Sequence, residues 1–449
     1  MCSILKAIRE NPELLKESQR KRGEPEELVD KAVELDKKWR RKLKEVEGLR
    51  RERNKLSEKI GKARKEEREE LVKKAKEVSE RLKIEEEELK KLEEEREKVL
   101  LSFPNILDPE VPPGRDESEN LPIRFFGKAK VVREDEEKFL QQSLRRMEYQ
   151  LIEKRPLGHA DFVEINNLAD IQRAAKVSGA RFYYLLNQLV WLDLALIQYA
   201  LEFLAGKGFK IVCPPYLMKK EAYEKVTSVT DFEDDIYKVE GEDLYLIATS
   251  EHAIAAMHMN EVLEEKRLPL LYAGVSPCFR KEAGAHGKDT KGIFRVHQFH
   301  KVEQFVFCLP EESGEWHEKL ISNAEALFKG LGIPYRIVNI CSGDLGAVAS
   351  KKYDLEGWFP NQGRFRELVS CSNCTDWQSY RLNIRYAEKP GLPSKGFVHT
   401  LNSTAIATQR AICAIIENYQ IDEKSFEIPK VLRKYLENIE GAPKDKISL

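Results

Sequence analysis

Between Leu28 and Val99 the apolar residues recur every three or four positions, and almost everything between them is Lys, Arg or Glu. That pattern leaves few choices of fold. The apolar positions are Leu28, Ala32, Leu35, Trp39, Leu43, Val46, Leu49, Leu56 and Ile60, then, after Gly61-Lys62-Ala63-Arg64-Lys65, Leu71, Ala75, Val78, Leu82, Leu89, Leu92 and Val99. A seam of this period puts one stripe of each helix against a partner. The segment therefore reads as two amphipathic helices joined by a short Gly-containing link and folded back as an antiparallel hairpin. At 1.5 Å per residue each arm reaches roughly 50 Å. An isolated pair buries little for its length, so it is either a charged spacer or a device for touching a partner, and periodicity alone favours the spacer.

The run Ser102-Phe-Pro-Asn-Ile-Leu-Asp-Pro-Glu-Val-Pro-Pro-Gly114 is a boundary where neither a helix nor a central strand can continue. Beyond it, helical patterns around Asp135–Lys154 and Phe182–Ala205 alternate with apolar runs at Lys210–Cys213, Leu244–Ile247, Leu270–Gly274, Val302–Leu309 and Tyr335–Ile340. Strands outnumber crossover helices, which predicts a mostly antiparallel sheet with helices around it, an α+β domain. There is no Gly-x-Gly-x-x-Gly and no P-loop, so Rossmann and Walker nucleotide sites are unsupported. The 449 residues, 41% apolar and 34% charged, suffice for two domains. A net charge of -1 leaves any nucleic-acid surface to local patches. No apolar run reads as long enough to span a bilayer, and the charged N-terminus is no signal peptide, so a cytoplasmic protein is expected. The heavy Lys, Arg and Glu load also suits the ion-pair networks of a thermophile.

Chemistry concentrates in Cys278-Phe279-Arg280-Lys281-Glu282, a Gly-rich loop from Ala283 to Gly292, and Ile293 to Phe305. This reads as two strands joined by a long loop. Alternation puts Arg280 and Glu282 on one face, with Arg295, His297, Phe299, Lys301 and Glu303, while Val296 and Val302 point away. Forked arginines suit phosphate and an exposed ring suits a base. Two further polar clusters lie downstream: Arg366-Glu367-Leu368-Val369-Ser370, and Thr400-Leu-Asn-Ser-Thr-Ala-Ile-Ala-Thr-Gln-Arg410, followed by an apolar helix from Ala411.

Over nearly its whole length, from Ile8-Arg9-Glu10-Asn11-Pro12 to Ile415-Ile416-Glu417-Asn418-Tyr419, the chain resembles the seryl-tRNA synthetases, which are class II aminoacyl-tRNA synthetases. The hairpin resembles motif 2 and the last cluster motif 3. The resemblance implies an N-terminal tRNA-binding domain over 1–110, with its coiled coil at about 27–101, and a class II catalytic domain over 111–449. It implies that L-serine reacts with ATP to give seryl-adenylate and pyrophosphate, and that serine then passes to the 3′ end of the serine tRNA. Whether selenocysteine tRNA is also charged stays open. In the family the arm grips the long variable arm of the tRNA, mainly by Lys and Arg on phosphate. The arm's candidates are Arg40, Arg41, Lys44, Arg50, Arg51, Arg53, Lys55, Lys59, Lys62, Arg64 and Lys65.

By the same resemblance the catalytic residues are Arg280, bridging the α-phosphate and the serine carboxylate, Glu303 and Arg410. Serine is expected on Thr249, Glu251, Arg280, Glu303, Asn402 and Thr404, with the Thr249-Ser250-Glu251 element at the ammonium and Glu303 at the hydroxyl. ATP is expected on Arg280, Lys281, Glu282, Arg295, Val296, His297, Gln298, Phe299, Glu367, Leu368, Val369, Ser370 and Arg410. Glu367 and Ser370 would hold Mg²⁺ carried by ATP, as hard oxygen ligands suit that ion. No zinc site is expected, since Cys371 and Cys374 form a single Cys-x-x-Cys pair that the family uses structurally. Bacterial relatives have glycines before the motif 3 arginine, whereas Ser403, Ala405 and Thr408 stand here, an archaeal or eukaryotic-like departure. Pro214 resembles the motif 1 proline of the family's dimer interface, so a homodimer is expected, with neither membrane nor DNA as a partner. Two alternatives remain: a paralogue loading an amino acid onto a carrier protein, which would lack the arm, and a catalytically dead RNA-binding scaffold, which would lose Arg280, Glu303, Glu367 or Arg410.

Overall fold

The computed structural model describes residues 3–228, 235–283, 289 and 291–448. Most of the Ala283–Gly292 loop, at 284–288 and 290, lies outside them. The chain divides into two compact units, one ending at Ile106 and the other running from Leu107 to Leu449.

The first unit opens with α1 (Ile4–Glu10) and α2 (Pro12–Arg22), then forms a hairpin of α3 (Glu27–Lys62) and α4 (Lys65–Ser102). The helices run closer to the tip than the sequence suggests, leaving only Ala63 and Arg64 between them. Val46, Leu49, Leu82 and Leu89 form the buried seam, flanked by Trp39, Leu43 and Val78. Towards the tip Leu56, Ile60, Leu71 and Ala75 are only half-buried. Alongside the seam the helices are also tied by charge: Lys42 reaches Glu85 at 2.5 Å and Glu88 at 2.6 Å, and Arg50 reaches Glu86 at 2.7 Å.

At the base, the seam contains a charge that apolar periodicity could not show. Asp36 is buried and meets Arg9 at 3.0 Å, Arg96 at 2.8 Å and Arg40 at 2.9 Å, while Arg96 lies 4.5 Å over the Trp39 ring. Burial alone would raise the Asp36 pKa, but the hydrogen bond from Arg9 and the charges of Arg96 and Arg9 outweigh it and hold the carboxyl below its ordinary value. Removing one member of such a cluster leaves buried charge uncompensated, so Asp36→Ala is expected to destabilise this unit by about 3–5 kcal/mol in thermal or urea denaturation. The folded-state pKa is depressed, so this stabilisation is complete above the ordinary carboxylate range and is lost as the pH falls through the lowered value. An acid titration of the wild-type melting temperature should show that loss, and the Asp36→Ala titration should lack it.

In the second unit, the described residues form an eight-stranded sheet: β1 (Leu121–Phe126), β2 (Lys210–Val212), β3 (Leu270–Phe279), β4 (Gln298–Cys308), β5 (Tyr335–Asn339), β6 (Lys351–Phe359), β7 (Arg364–Thr375) and β8 (His399–Ala407). Its spatial order is β1-β5-β6-β7-β8-β4-β3-β2, and every neighbouring pair is antiparallel except β3 with β2. The helices that matter to the site are α5 (Gln188–Gly206), α6 (Ser250–Ala255), α7 (Ser313–Leu331) and α8 (Thr408–Tyr419). Residues of α5, α7 and α8 join Val302, Val306, Val369, Cys371, Leu401 and Ala405 in the main core on one sheet face. Alternation sends Phe299, Lys301, Glu303, Phe305 and Phe307 of β4 to the other face.

The sequence reading needs correction at several places. The 135–154 stretch is not one helix but a short helix, Glu136–Gln142, followed by the strand Glu148–Ile152. α5 begins at Gln188 rather than Phe182. The helix after the third polar cluster begins at Thr408, which places Arg410 in its first turn instead of before it. α5 is also long and apolar enough to cross a membrane, contrary to the expectation that no such run exists. It is nevertheless a core helix: Leu189, Leu192, Leu196 and Leu204 are buried in the main core, and its buried Asp193 holds His300 at 2.8 Å and Gln409 at 2.9 Å.

Candidate active site

The antiparallel pairing of β3 with β4 sets Gly274 opposite Glu303, Ser276 opposite Lys301 and Cys278 opposite Phe299. The regular hairpin is shorter than the sequence implies. β3 ends at Phe279, and Glu282 adopts a left-handed φ of 53°, so alternation stops there. Ile293–His297 is irregular chain, and Gln298 starts β4. Hence the face shared by Phe299, Lys301 and Glu303 follows strand geometry, whereas Arg295 reaches Glu282, at 2.6 Å, through an irregular path. Val296 is buried in the main core. His297 turns its Nδ1 to the Arg280 carbonyl at 2.8 Å and packs on Phe182. Gln298 is exposed.

Above β3, helix α6 sits so close that a Cβ on Gly274 would lie 2.6 Å from Ile254 Cδ1 and Ser250 Oγ. A glycine is needed there. Thr249 caps α6, accepting from the Glu251 N–H at 3.2 Å. The Glu251 carboxylate accepts from Gln378 Nε2 at 3.1 Å and Asn402 Nδ2 at 3.0 Å. Burial, together with the nearby charge of Glu303, pushes its pKa up to about 7. Burial also raises the Glu303 pKa, against Lys301, whose ammonium pairs with Glu303 Oε2. Next to Glu251, burial holds His252 neutral, at about 3, with its Nδ1 2.9 Å from the Tyr223 hydroxyl.

Glu367 and Ser370 are three apart on β7, a spacing that a regular strand would send to opposite faces. A bulge in β7, where Leu368 has no partner between Leu355 and Glu356 of β6, resets the alternation so that Asp354 faces Ser370 and Glu356 faces Glu367. Both Glu367 and Ser370 then line one cavity, while Val369 stays in the main core. Arg410 reaches Glu367 Oε1 at 3.1 Å and its carbonyl at 3.2 Å. Although burial opposes it, the charges of Arg410, Lys352 and Arg280 bring the Glu367 pKa down to about 2.

A cavity of about 370 Å³ gathers Glu251, Arg280, Phe299, Glu303, Glu367, Leu368, Ser370, Asn402, Thr404 and Arg410. Arg280 donates from Nε to the Ala248 carbonyl at 3.3 Å and lies 5.4 Å from the Phe299 ring. A small adjoining recess takes in Glu282, Arg295 and Val296, sharing Phe299 and Arg410 with the cavity. Thr249, Lys281, His297, Gln298 and Val369 line neither space.

Several groups lining the cavity and its recess, or lying just behind them, escaped the sequence reading. Lys352 enters from β6, 3.5 Å from Asp354. Asp354 Oδ1 is buried without a hydrogen-bond partner, a donor atom beside Ser370 that suits a hard cation. Phe294 is a platform, with Arg366 3.9 Å and Arg410 5.2 Å over its ring. The Leu345–Ala349 wall belongs to no motif the sequence flagged. Only Lys301 carried a readable signal, its place on the Phe299–Glu303 face.

Comparison with known proteins bears on the whole chain. The family described as seryl-tRNA synthetase N-terminal domain matches residues 5–107, and the tRNA synthetase class II core domain (G, H, P, S and T) matches 233–419. A serine–tRNA ligase of Archaeoglobus fulgidus is 69% identical, covering 100% of this chain and 99% of its own length. The crystal structure of seryl-tRNA synthetase from Pyrococcus horikoshii complexed with ATP superposes with a TM-score of 0.91 at 57% identity, covering 99% of both chains. A cytoplasmic serine–tRNA ligase from Naegleria fowleri, in complex with AMP, gives a TM-score of 0.82 at 41% identity over 98% of this chain and 96% of the other.

Proposed function

The chain belongs to the seryl-tRNA synthetase family, and from that premise we propose how its geometry activates serine with ATP and charges tRNA. The function is that of a serine–tRNA ligase, acting on serine, ATP and tRNA. The observation that carries the site reading is one cavity lined by Arg280, the carboxylates of Glu251 and buried Glu303, the polar β8 side chains of Asn402 and Thr404, and Glu367 with Arg410.

Adenylate formation needs the serine carboxylate held in line with the α-phosphorus while pyrophosphate leaves. Arg280, forked and always charged, is placed to hold both anions together. Glu251, joined by Thr249 at the head of α6, takes the serine ammonium. Glu303, with Asn402 and Thr404, takes the hydroxyl. A pocket built to bond that hydroxyl rejects alanine, because alanine leaves buried polar groups unpaired. Phe299 stacks on adenine, Glu282 meets its amine, and Arg295 and Arg410 face the phosphates. The backbone of Lys281 and of Val296–Gln298 shapes the loop around the nucleotide, and Leu368 and Val369 carry the strand beneath it.

Glu367 and Ser370, with Asp354 behind them, would hold Mg²⁺. The ion would screen phosphate charge and favour departure of pyrophosphate. Residues 1–110, with the coiled coil at about 27–101, form the tRNA-binding domain in this reading, and 111–449 the catalytic domain. Of the candidate arm cations, Arg40 already pairs with Asp36 and Arg50 with Glu86. A homodimer is supported by Val190 and Leu194 of α5, Ile211 on the sheet-edge strand β2, and Tyr216 and Leu217, all exposed apolar side chains around the buried Pro214. A cytoplasmic location belongs to the same reading.

The test is amino-acid-dependent ATP–pyrophosphate exchange across all twenty amino acids, with and without tRNA. Exchange with serine alone and no tRNA requirement is expected. Exchange with glycine or alanine would instead favour a carrier ligase, and none at all a dead scaffold.

A further inference from the structure

The cavity holds two carboxylates, buried Glu303 and half-buried Glu251, while a serine zwitterion brings a single ammonium. Its carboxylate is accounted for by Arg280. One carboxylate would therefore lack a positive partner, were it not for Lys301. Its side chain is only 7% exposed, lines the same cavity, and pairs with Glu303 two residues along the same face of β4.

We propose that Lys301 is a positioning residue for serine specificity: it is the permanent counter-ion of Glu303, keeping that carboxylate an ionised, acceptor-only group towards the substrate hydroxyl. With serine bound, each charge then has one partner: the serine carboxylate on Arg280, its ammonium on Glu251, and Lys301 on Glu303. An acceptor-only group requires a donor from the substrate, which serine has and alanine lacks. This proposal rests on the reading that Glu303 receives the serine hydroxyl.

Other groups around Glu303 cannot replace the lysine. Helix α6 presents Glu251 and neutral His252, β3 the Cys278 thiol and β8 the Thr404 hydroxyl, while the Cys371 thiol of β7 turns to the opposite face and the His317 carbonyl. Arg280 is the other cation nearby, and the substrate carboxylate and phosphate claim it. Without Lys301, Glu303 and Glu251 compete for one ammonium, and Glu303 takes up a proton at higher pH.

The experiment measures serine- and alanine-dependent exchange for the wild type, Lys301→Met, Lys301→Arg and Glu303→Gln between about pH 6 and about pH 8.5. For Lys301→Met we expect serine kcat/KM to fall about 10²-fold, mainly through KM, with the ATP KM unmoved. Serine-over-alanine preference should narrow by at least about tenfold, the loss should deepen as the pH falls, and Lys301→Arg should restore part of both. Calorimetric titration with seryl- and alanyl-sulfamoyl adenylates reads the same preference without turnover, and Lys301→Gln carries the test if the methionine variant melts below the assay temperature. A wild-type preference and pH profile in Lys301→Met or Lys301→Gln, alongside a collapsed preference in Glu303→Gln, overturns the role of Lys301. An unchanged preference in Glu303→Gln overturns instead the placement of the hydroxyl on Glu303.

Discussion

Replacing Arg280 by lysine is expected to lower serine-dependent pyrophosphate exchange by about 10²–10³-fold, the range for loss of a donor aimed at developing charge. The guanidinium is fixed before substrate arrives, with Nε on the Ala248 carbonyl and the Phe299 ring beneath it. Burial would by itself lower its pKa, but the Cys278, Glu282, Glu367 and Glu303 groups around it raise it, so it is cationic at every working pH. Lysine keeps the charge but has no fork, and cannot hold a carboxylate and a phosphate in one plane while also satisfying Ala248. The loss should therefore appear in kcat as well as in the KM for serine. An unchanged kcat in Arg280→Lys would remove the arginine from the chemistry.

Deleting residues 1–106 should reduce tRNA charging by about 10³-fold or more, while serine-dependent exchange stays within about twofold of the intact protein. The two activities separate because every residue lining the cavity lies between Val226 and Arg410, inside a unit with its own core. Affinity for a nucleic acid through phosphate contacts is strongly salt-dependent, so charging by the intact protein should also fall steeply between about 50 and 200 mM salt, with exchange little affected. Equal loss of exchange and charging on deletion would show that the arm supports the catalytic fold instead of holding RNA.

The two halves of the molecule differ in how far their structure could be read from the chain. In the arm, the helical period is a local property, and the apolar spacing identified the seam from Leu35 to Leu89. What it passed over was Asp36 with Arg96, because a buried ion pair carries no apolar signal. In the catalytic unit, alternation correctly placed Phe299, Lys301 and Glu303 on one face and Val302 on the other. It failed at Arg295 and Glu282, where a left-handed residue and irregular chain replace the strand. The 135–154 region misled for a related reason, since the strand Glu148–Ile152 is stabilised by pairing with distant chain at Lys128–Val132.

Residue identity by itself determined the two-domain plan, the antiparallel hairpin and the three polar clusters, because helix period, strand alternation and proline punctuation depend on near neighbours. Tertiary structure decided which clusters share a cavity. A bulge in β7 at Leu368 turns Glu367 and Ser370 the same way, the paired strand β6 sets Lys352 and Asp354 beside them, and irregular chain brings Phe294 under Arg410. Sheet register and the burial of charge depend on residues far apart in the chain, which no local period records.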